Sequence, residues 1–161
     1  MDKLRKIIRD LIKEESELQM DFGDKDKARR ALIALSKCII PANDTKIDGR
    51  LSEAYRDEDS HFSEDGEVEI EFHFEGVKFN IILDITGSYY YKRGWGGDYM
   101  QPPDEDTYED EEITLNDDEI IINDQEDHEY EFNITDLGPS FSRDLENYLL
   151  GYYDASDSTI G

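Results

Sequence analysis

Carboxylates are the potentially reactive groups that this chain carries in excess, with 42 Asp and Glu against 17 Lys and Arg, three His and one Cys. Their chemistry could be acid–base catalysis, cation binding or plain electrostatics, and spacing decides among these. Zinc needs clustered Cys and His, but Cys38, His61, His73 and His128 are scattered along the chain. Asp44-Thr45-Lys46-Ile47-Asp48-Gly49 has acids at the first and fifth places of a calcium loop and glycine at the sixth. Lys46 takes the third ligand place and Tyr55 the closing one, so an EF-hand is rejected; loose surface binding of calcium around Asp104–Glu112 is all that an acidic loop offers. Nucleophilic catalysis needs a nucleophile, a base and an orienting group, and no Gly-x-Ser-x-Gly elbow is present. His73 alternates onto the polar face of a strand. Carboxylate pairs of the glycosidase kind have no distinguishing position where acids are everywhere. Gly94–Gly97 is no phosphate cradle, because no Lys-Ser/Thr follows and the surrounding acids repel phosphate. The sequence predicts no catalytic residues, no cofactor and no metal site.

Charge is distributed unevenly. Residues 1–50 hold 12 Lys/Arg and 10 Asp/Glu, a net of +2. Residues 51–161 hold 5 and 32, a net of −27, and the stretch from Asp104 to Glu131 has 15 acids and no base in 28 residues. Such a field destabilises a compact chain by self-repulsion, so the field itself is a candidate function. A pI near 4.2 speaks against direct contact with nucleic acid or an anionic membrane, which need a basic footprint. Ten Tyr, seven Phe and one Trp argue for a folded chain rather than a disordered acidic tail. The lone Cys38 fits a reducing compartment and follows an apolar run, so a place in the core is expected. No signal peptide and no apolar run near ~20 residues is visible, and the expected location is the cytoplasm of a host cell.

The elements that would position these groups follow from periodicity. Leu4, Ile7, Ile8, Leu11 and Ile12 form one stripe of a helix over 2–20, capped by Asp2 and stopped at Gly23. Asp24 then caps a second helix with Ala28, Ala31, Leu32 and Leu35 on one face, ending at Ile40-Pro41. Residues 1–40 thus read as a helical hairpin, and the exposed stripe of its first helix offers a route to homo-oligomers. Residues 41–66 read as a polar connection, with one short helical turn around Leu51, Ala54 and Tyr55. From Glu67 the pattern changes to period two. Val68, Ile70, Phe72 and Phe74 alternate with Glu67, Glu69, Glu71 and His73, Glu75-Gly76 turns, and Val77 to Ile85 alternate back. Tyr89, Tyr90 and Tyr91 extend that strand or begin another. Gly94 to Pro103 is a shaped loop. Short strands are expected around Ile113–Leu115, Ile120–Ile122 and Tyr130–Ile134. A helix capped by Ser140 follows, with Phe141, Leu145, Tyr148, Leu149 and Tyr152 inward. Residues 154–161 read as a fraying tail. The predicted fold class is α+β: a helical hairpin (1–40), a connection (41–66), and an acidic antiparallel meander of about four to six strands with a C-terminal helix (67–153).

The phrases SYYYKRGWGGDYMQPPDEDTYEDEEITL and NITDLGPSFSRDLENYLL resemble a class of small acidic phage-encoded proteins. These carry an alternating hairpin, a tyrosine run, a loop with Gly, Asp-Tyr and Pro-Pro, and Ile-Thr-Asp-Leu opening a last helix. The resemblance covers about half of the chain and departs at Gly138-Pro139. It implies a phage origin and a fold, and no catalytic residue.

Glu67, Glu69 and Glu71 would repeat every ~6.6–7 Å along one strand face, near the spacing of phosphates along a nucleic-acid strand, whose duplex carries a charge per ≈ 1.7 Å of axis. With Asp98, Asp104, Glu105, Asp106, Glu109, Asp110, Glu111, Glu112, Asp117, Asp118 and Glu119 they would offer a DNA-like array to a basic groove. Trp95, Tyr99 and Tyr108 would supply aromatic anchors. Two functions compatible with this reading are a non-enzymatic inhibitor of a basic, nucleic-acid-binding host protein, such as a defence factor, and a virion assembly protein. A third, an immunity protein against a basic nuclease, shares the electrostatics of the first.

Overall fold

The computed structural model describes residues 23–97, 100–101 and 104–161. The expected helix over 2–20 and its role in self-association lie outside the described residues, as do Asp98 and Tyr99.

Residues 23–36 are helical (α1). Gly23 lies in the helix, so Asp24 does not cap it. The helix stops short of Ile40-Pro41 because Cys38 turns into the left-handed region (φ 59°). The Cys38 N–H then donates to Leu35 O (3.2 Å) and the Ile39 N–H to Ala34 O (3.1 Å), the paired bonds of a Schellman closure. Cys38 is exposed rather than in the core, since the buried stripe of Ala28, Ala31, Leu32 and Leu35 ends one turn before it.

The expected connection over 41–66 holds more structure than its polarity suggests. A 3-10 turn at Ala42–Asp44 leads into β1 (Thr45–Leu51), and β2 (Ser60–Phe74) begins seven residues before Glu67. In β1, Lys46, Asp48 and Arg50 face solvent while Gly49 and Leu51 are buried; glycine on the inner side hides the alternation. No helical turn forms around Ala54.

β2 and β3 (Val77–Lys92) form a long hairpin. Its two-residue turn has positive φ at both Glu75 (48°) and Gly76 (79°), the primed geometry that matches strand twist. β4 (Thr107–Leu115), β5 (Glu119–Asp124) and β6 (Glu129–Asn133) follow. A 3-10 turn (Ile134–Leu137), α2 (Phe141–Leu150), β7 (Tyr153–Asp154) and β8 (Thr159–Ile160) complete the chain. All pairings are antiparallel. The order is β6-β5-β3-β2-β1-β8-β7, and β4 and β5 share one edge of β3: β5 pairs with Phe79–Ile81 and β4 with Ile85–Lys92. The fold is α+β as expected, with eight strands instead of four to six and without simple meander order. Residues 154–161 do not fray. Ile160 pairs with Gly49 and is buried, and Tyr153 and Ala155 reach the core beside it.

One face of the sheet is apolar. Val68, Ile70, Phe72, Phe79, Ile81, Leu83, Ile85, Ile113, Ile120 and Ile122 are buried there in one cluster with α1 and with Phe141, Leu145, Tyr148 and Leu149 of α2. A bulge in β4, with Asp110 at φ 52°, sets Asp110 and Glu111 against Tyr89. It re-phases the strand, so that Tyr108 and Ile113, five residues apart, both turn inward.

Candidate functional site

The acids divide into three groups once folded. The first, Glu67, Glu69 and Glu71, stands on the outer face of β2 as the alternation requires. Register brings Arg50 opposite Glu67, Asp48 opposite Glu69 and Lys46 opposite Glu71 on one side, and Asp84, Ile82 and Asn80 on the other. Lys78 Nζ lies 3.6 Å from Glu71 Oε2. Three bases therefore interleave with five acids, and this face is not the uniform acid row that β2 alone suggests. β1 was invisible at this point in the sequence, and its outward residues include two cations.

The second group lies where β4 ends and β5 begins, against the middle of β3. Glu119 and Glu131 are diagonal neighbours on β5 and β6. A hydrogen bond to the Glu131 carboxyl, then its charge, pushes the Glu119 carboxyl above the ordinary range. Partial burial and then Asp84 do the same for Asp117. Asp118 adjoins both. Lys25 and Arg29 line one depression with Glu119 and Glu131, but Lys25 sits over the Phe132 ring at 5.7 Å and Arg29 donates to the Asp136 carbonyl (3.4 Å). Among the described residues no base comes within ion-pair distance of Asp117, Asp118, Glu119 or Glu131.

The third group surrounds the 93–106 loop. The Asp106 carboxylate ties its ends together, accepting from Gly94 N–H (2.8 Å) and Tyr91 O–H (2.7 Å). These bonds, that of Gly94 first, hold its pKa below the carboxylate range. Asp104 N–H donates to Trp95 O (2.8 Å), and Asp59 accepts from Arg93 N–H (2.7 Å). Trp95 is 46% exposed and Met100 74% exposed on this pinned loop, and Tyr55 beside it is 85% exposed. Asp104 and Glu105 are exposed here too; Glu109 and Glu112 are exposed along β4, while Glu111 is half-buried, its carboxyl pushed up by burial and then by Asp154. Tyr108 belongs to β4 and not to the loop. Its ring packs between those of Tyr89 (5.4 Å) and Tyr91 (5.5 Å).

Tyr108 leads to a centre that the sequence reading missed. Glu64 sits on the inward side of β2, opposite Gly87, and is buried. Its Oε1 accepts from Arg56 Nη2 (2.9 Å), Tyr89 O–H (2.6 Å) and the Ala54 N–H (3.1 Å). The Arg56 guanidinium also donates to Tyr89 Oη (2.6 Å), Tyr108 Oη (3.0 Å), the carbonyls of Ala155 (2.7 Å) and Ser156 (3.2 Å), and Ser158 Oγ (2.9 Å). Burial pushes the Glu64 pKa up, but hydrogen bonds from Tyr89, Ser158, Ala54 and Arg56 outweigh it and hold the carboxyl below its ordinary value. Burial likewise opposes the Arg56 charge, and its bonds to Glu64 and Tyr89 more than restore it. Gly87 leaves the space: a Cβ there would stand 2.7 Å from the Tyr153 hydroxyl and 2.9 Å from Leu51 Cδ1. Arg56 thus fastens the 52–59 connection, the tyrosine ladder and the C-terminal β7–β8 hairpin together. The available signal was phase: reading inward positions back from Val68 gives Gly66, Glu64 and Phe62, and a glutamate in that phase requires a buried cation.

No three His, Cys, Asp or Glu among the described residues come together as a metal site. No helix among them is long and apolar enough to cross a membrane. No family model, curated protein or solved structure matches the chain.

Proposed function

We propose that this protein acts without catalysis, binding and inhibiting a basic, nucleic-acid-binding host protein by presenting a DNA-like array of charge, as a phage-encoded inhibitor would. One observation carries the reading. The acids of the second and third groups are held on strands and on a pinned loop, and among the described acids assigned to the contact only Glu71 has an ion-pair partner. A chain needing only solubility gets it from a net charge of about 2–8. Keeping Glu119 against Glu131, and Asp117 against Asp84, costs stability that a solvating surface has no need to spend.

The contact is centred on Asp117, Asp118 and Glu119 and on Asp104–Asp106, with Trp95 as an anchor; the outer face of β2, interleaved with cations, contributes less. Long-range steering would make association fast and salt-sensitive. The test is capture of host proteins on the tagged full chain at low and high salt, followed by competition with duplex DNA. The expected result is one basic nucleic-acid-binding protein, released by either. Reversal of Asp117, Asp118 and Glu119 to Lys should weaken capture and flatten its salt dependence. Unchanged capture by that variant refutes charge mimicry, and a salt-insensitive self-association as the sole interaction points to an assembly role instead.

A further inference from the structure

We propose that the cleft between Glu53–Arg56 and the foot of the 93–106 loop seats a lysine or arginine side chain of the partner; this rests on the reading above that the partner is basic. The cleft holds about 420 Å³ and is lined by Glu53, Tyr55, Arg56, Tyr91, Asp106 and Tyr108. It combines two carboxylates with three tyrosine rings, the surroundings that attract an organic cation through charge and ring faces.

Three observations select a cation over other occupants. Among the described residues the Arg56 guanidinium is the one cation lining the cleft. Its donors are already directed at Glu64, Tyr89, Tyr108, Ala155, Ser156 and Ser158, with Glu53 a further 3.8 Å ion-pair neighbour, so an anion would find no unengaged cation there and would meet the Glu53 and Asp106 carboxylates. Of the tyrosines that line the cleft, Tyr108 already holds a cation against its ring: the Arg56 guanidinium carbon lies 5.0 Å from its centre. Tyr55 presents most of its ring to solvent at the mouth, in surroundings where Lys92 and Arg93 are outnumbered by the acids at 53, 57–59 and 104–106. A second copy of this acidic chain would bring like charge to the same place, whereas a basic side chain would cover the ring and neutralise the rim.

The test uses the isotope-labelled full chain, titrated with tetralysine at low salt and followed by amide chemical shifts. The expected result is saturable shifts focused on Ala54, Tyr55 and Gly94. Tyr55→Ala and Glu53→Gln, both at exposed positions, should each weaken binding roughly two- to tenfold, and Glu119→Gln should weaken it less. Shifts spread evenly over β4–β6, no saturable shift, or equal binding by Tyr55→Ala would overturn the cleft as the seat. The reading of a basic partner fails separately, when the wild-type chain captures no basic protein from host lysate.

Discussion

Removing the Arg56 side chain should be the most damaging single substitution outside the apolar core. Arg56→Ala leaves the Glu64 carboxylate buried opposite Gly87 without its cation, held only by neutral donors from Tyr89, Ser158 and the Ala54 N–H, and frees the Ala155 and Ser156 carbonyls. Breaking a buried pair from one side costs about 3–5 kcal/mol, a large share of the ~5–15 kcal/mol that stabilises an ordinary domain. Urea denaturation followed by far-ultraviolet circular dichroism would measure it as a lower midpoint at constant slope. The double variant Arg56→Met/Glu64→Leu removes both charges together and should lose less than either single variant, with a coupling energy of at least ~2 kcal/mol. Hydrogen exchange supplies a spatial check: the Leu51 N–H, which donates to Ser158 O (2.9 Å), should lose protection before the amides of central β3. If Arg56→Ala falls within about 1 kcal/mol of the wild type, or the two single effects simply add, the centre is not the fastening described here.

Further outcomes follow from the same geometry. Glu64 titrates below its ordinary 4.5 in the fold, so its contribution is complete above that pH and is lost as pH falls through the depressed value; Glu64→Gln should flatten the acid limb of the stability profile. Glu119 has the opposite sign. Its pKa is raised by Glu131, so its ionised form costs stability above the raised value, and Glu119→Gln should raise Tm at neutral pH by an amount that shrinks as pH falls or salt rises. Cys38→Gly should stabilise by about 0.5–1 kcal/mol in denaturant titrations, because glycine adopts the left-handed closing position of α1 without a Cβ penalty. Gly87→Ala should destabilise by about 1–3 kcal/mol, since the new methyl meets Tyr153 and Leu51 inside van der Waals distance.

Strong periodicity was legible in the sequence; broken periodicity was not. The β2–β3 hairpin, its Glu75-Gly76 turn, the stripe of α1 and the inward face of α2 follow from spacing, because each has several large apolar residues in phase; Tyr152 is the exception, exposed beyond the last turn of α2, and Ser140 precedes that helix without a side-chain cap bond. β1 was missed because Gly49 occupies one of its inward places. β8 was missed because a two-residue strand has no period to detect. The strand expected around Ile113–Leu115 falls short of Tyr108, because the bulge at Asp110 shifts the phase between Tyr108 and Ile113. Glu64 is concealed for a different reason: its phase with Val68 is unbroken, but a strand begun at Glu67 makes every preceding carboxylate look like solvent decoration.

These omissions bear on function, since charge read strand by strand differs from charge read across a sheet. Glu67, Glu69 and Glu71 form a pure acid row only while β1 is unseen; Lys46 and Arg50 arrive by register and turn that row into a mixed face. The segment after Asp104 behaves differently. From Asp104 to Glu131 it has no Lys or Arg of its own, and the edge of β3 against which it folds supplies Asp84 near its middle, so folding concentrates negative charge there instead of dispersing it. Of the five bases after residue 50, Arg56 is spent inside on Glu64 and Lys78 on Glu71, which leaves Lys92, Arg93 and Arg143 against the remaining acids. The balance at the β4–β6 flank and at the loop foot is therefore set by topology as much as by composition, and reversing three acids there should alter partner binding more than the same change at Glu67, Glu69 and Glu71.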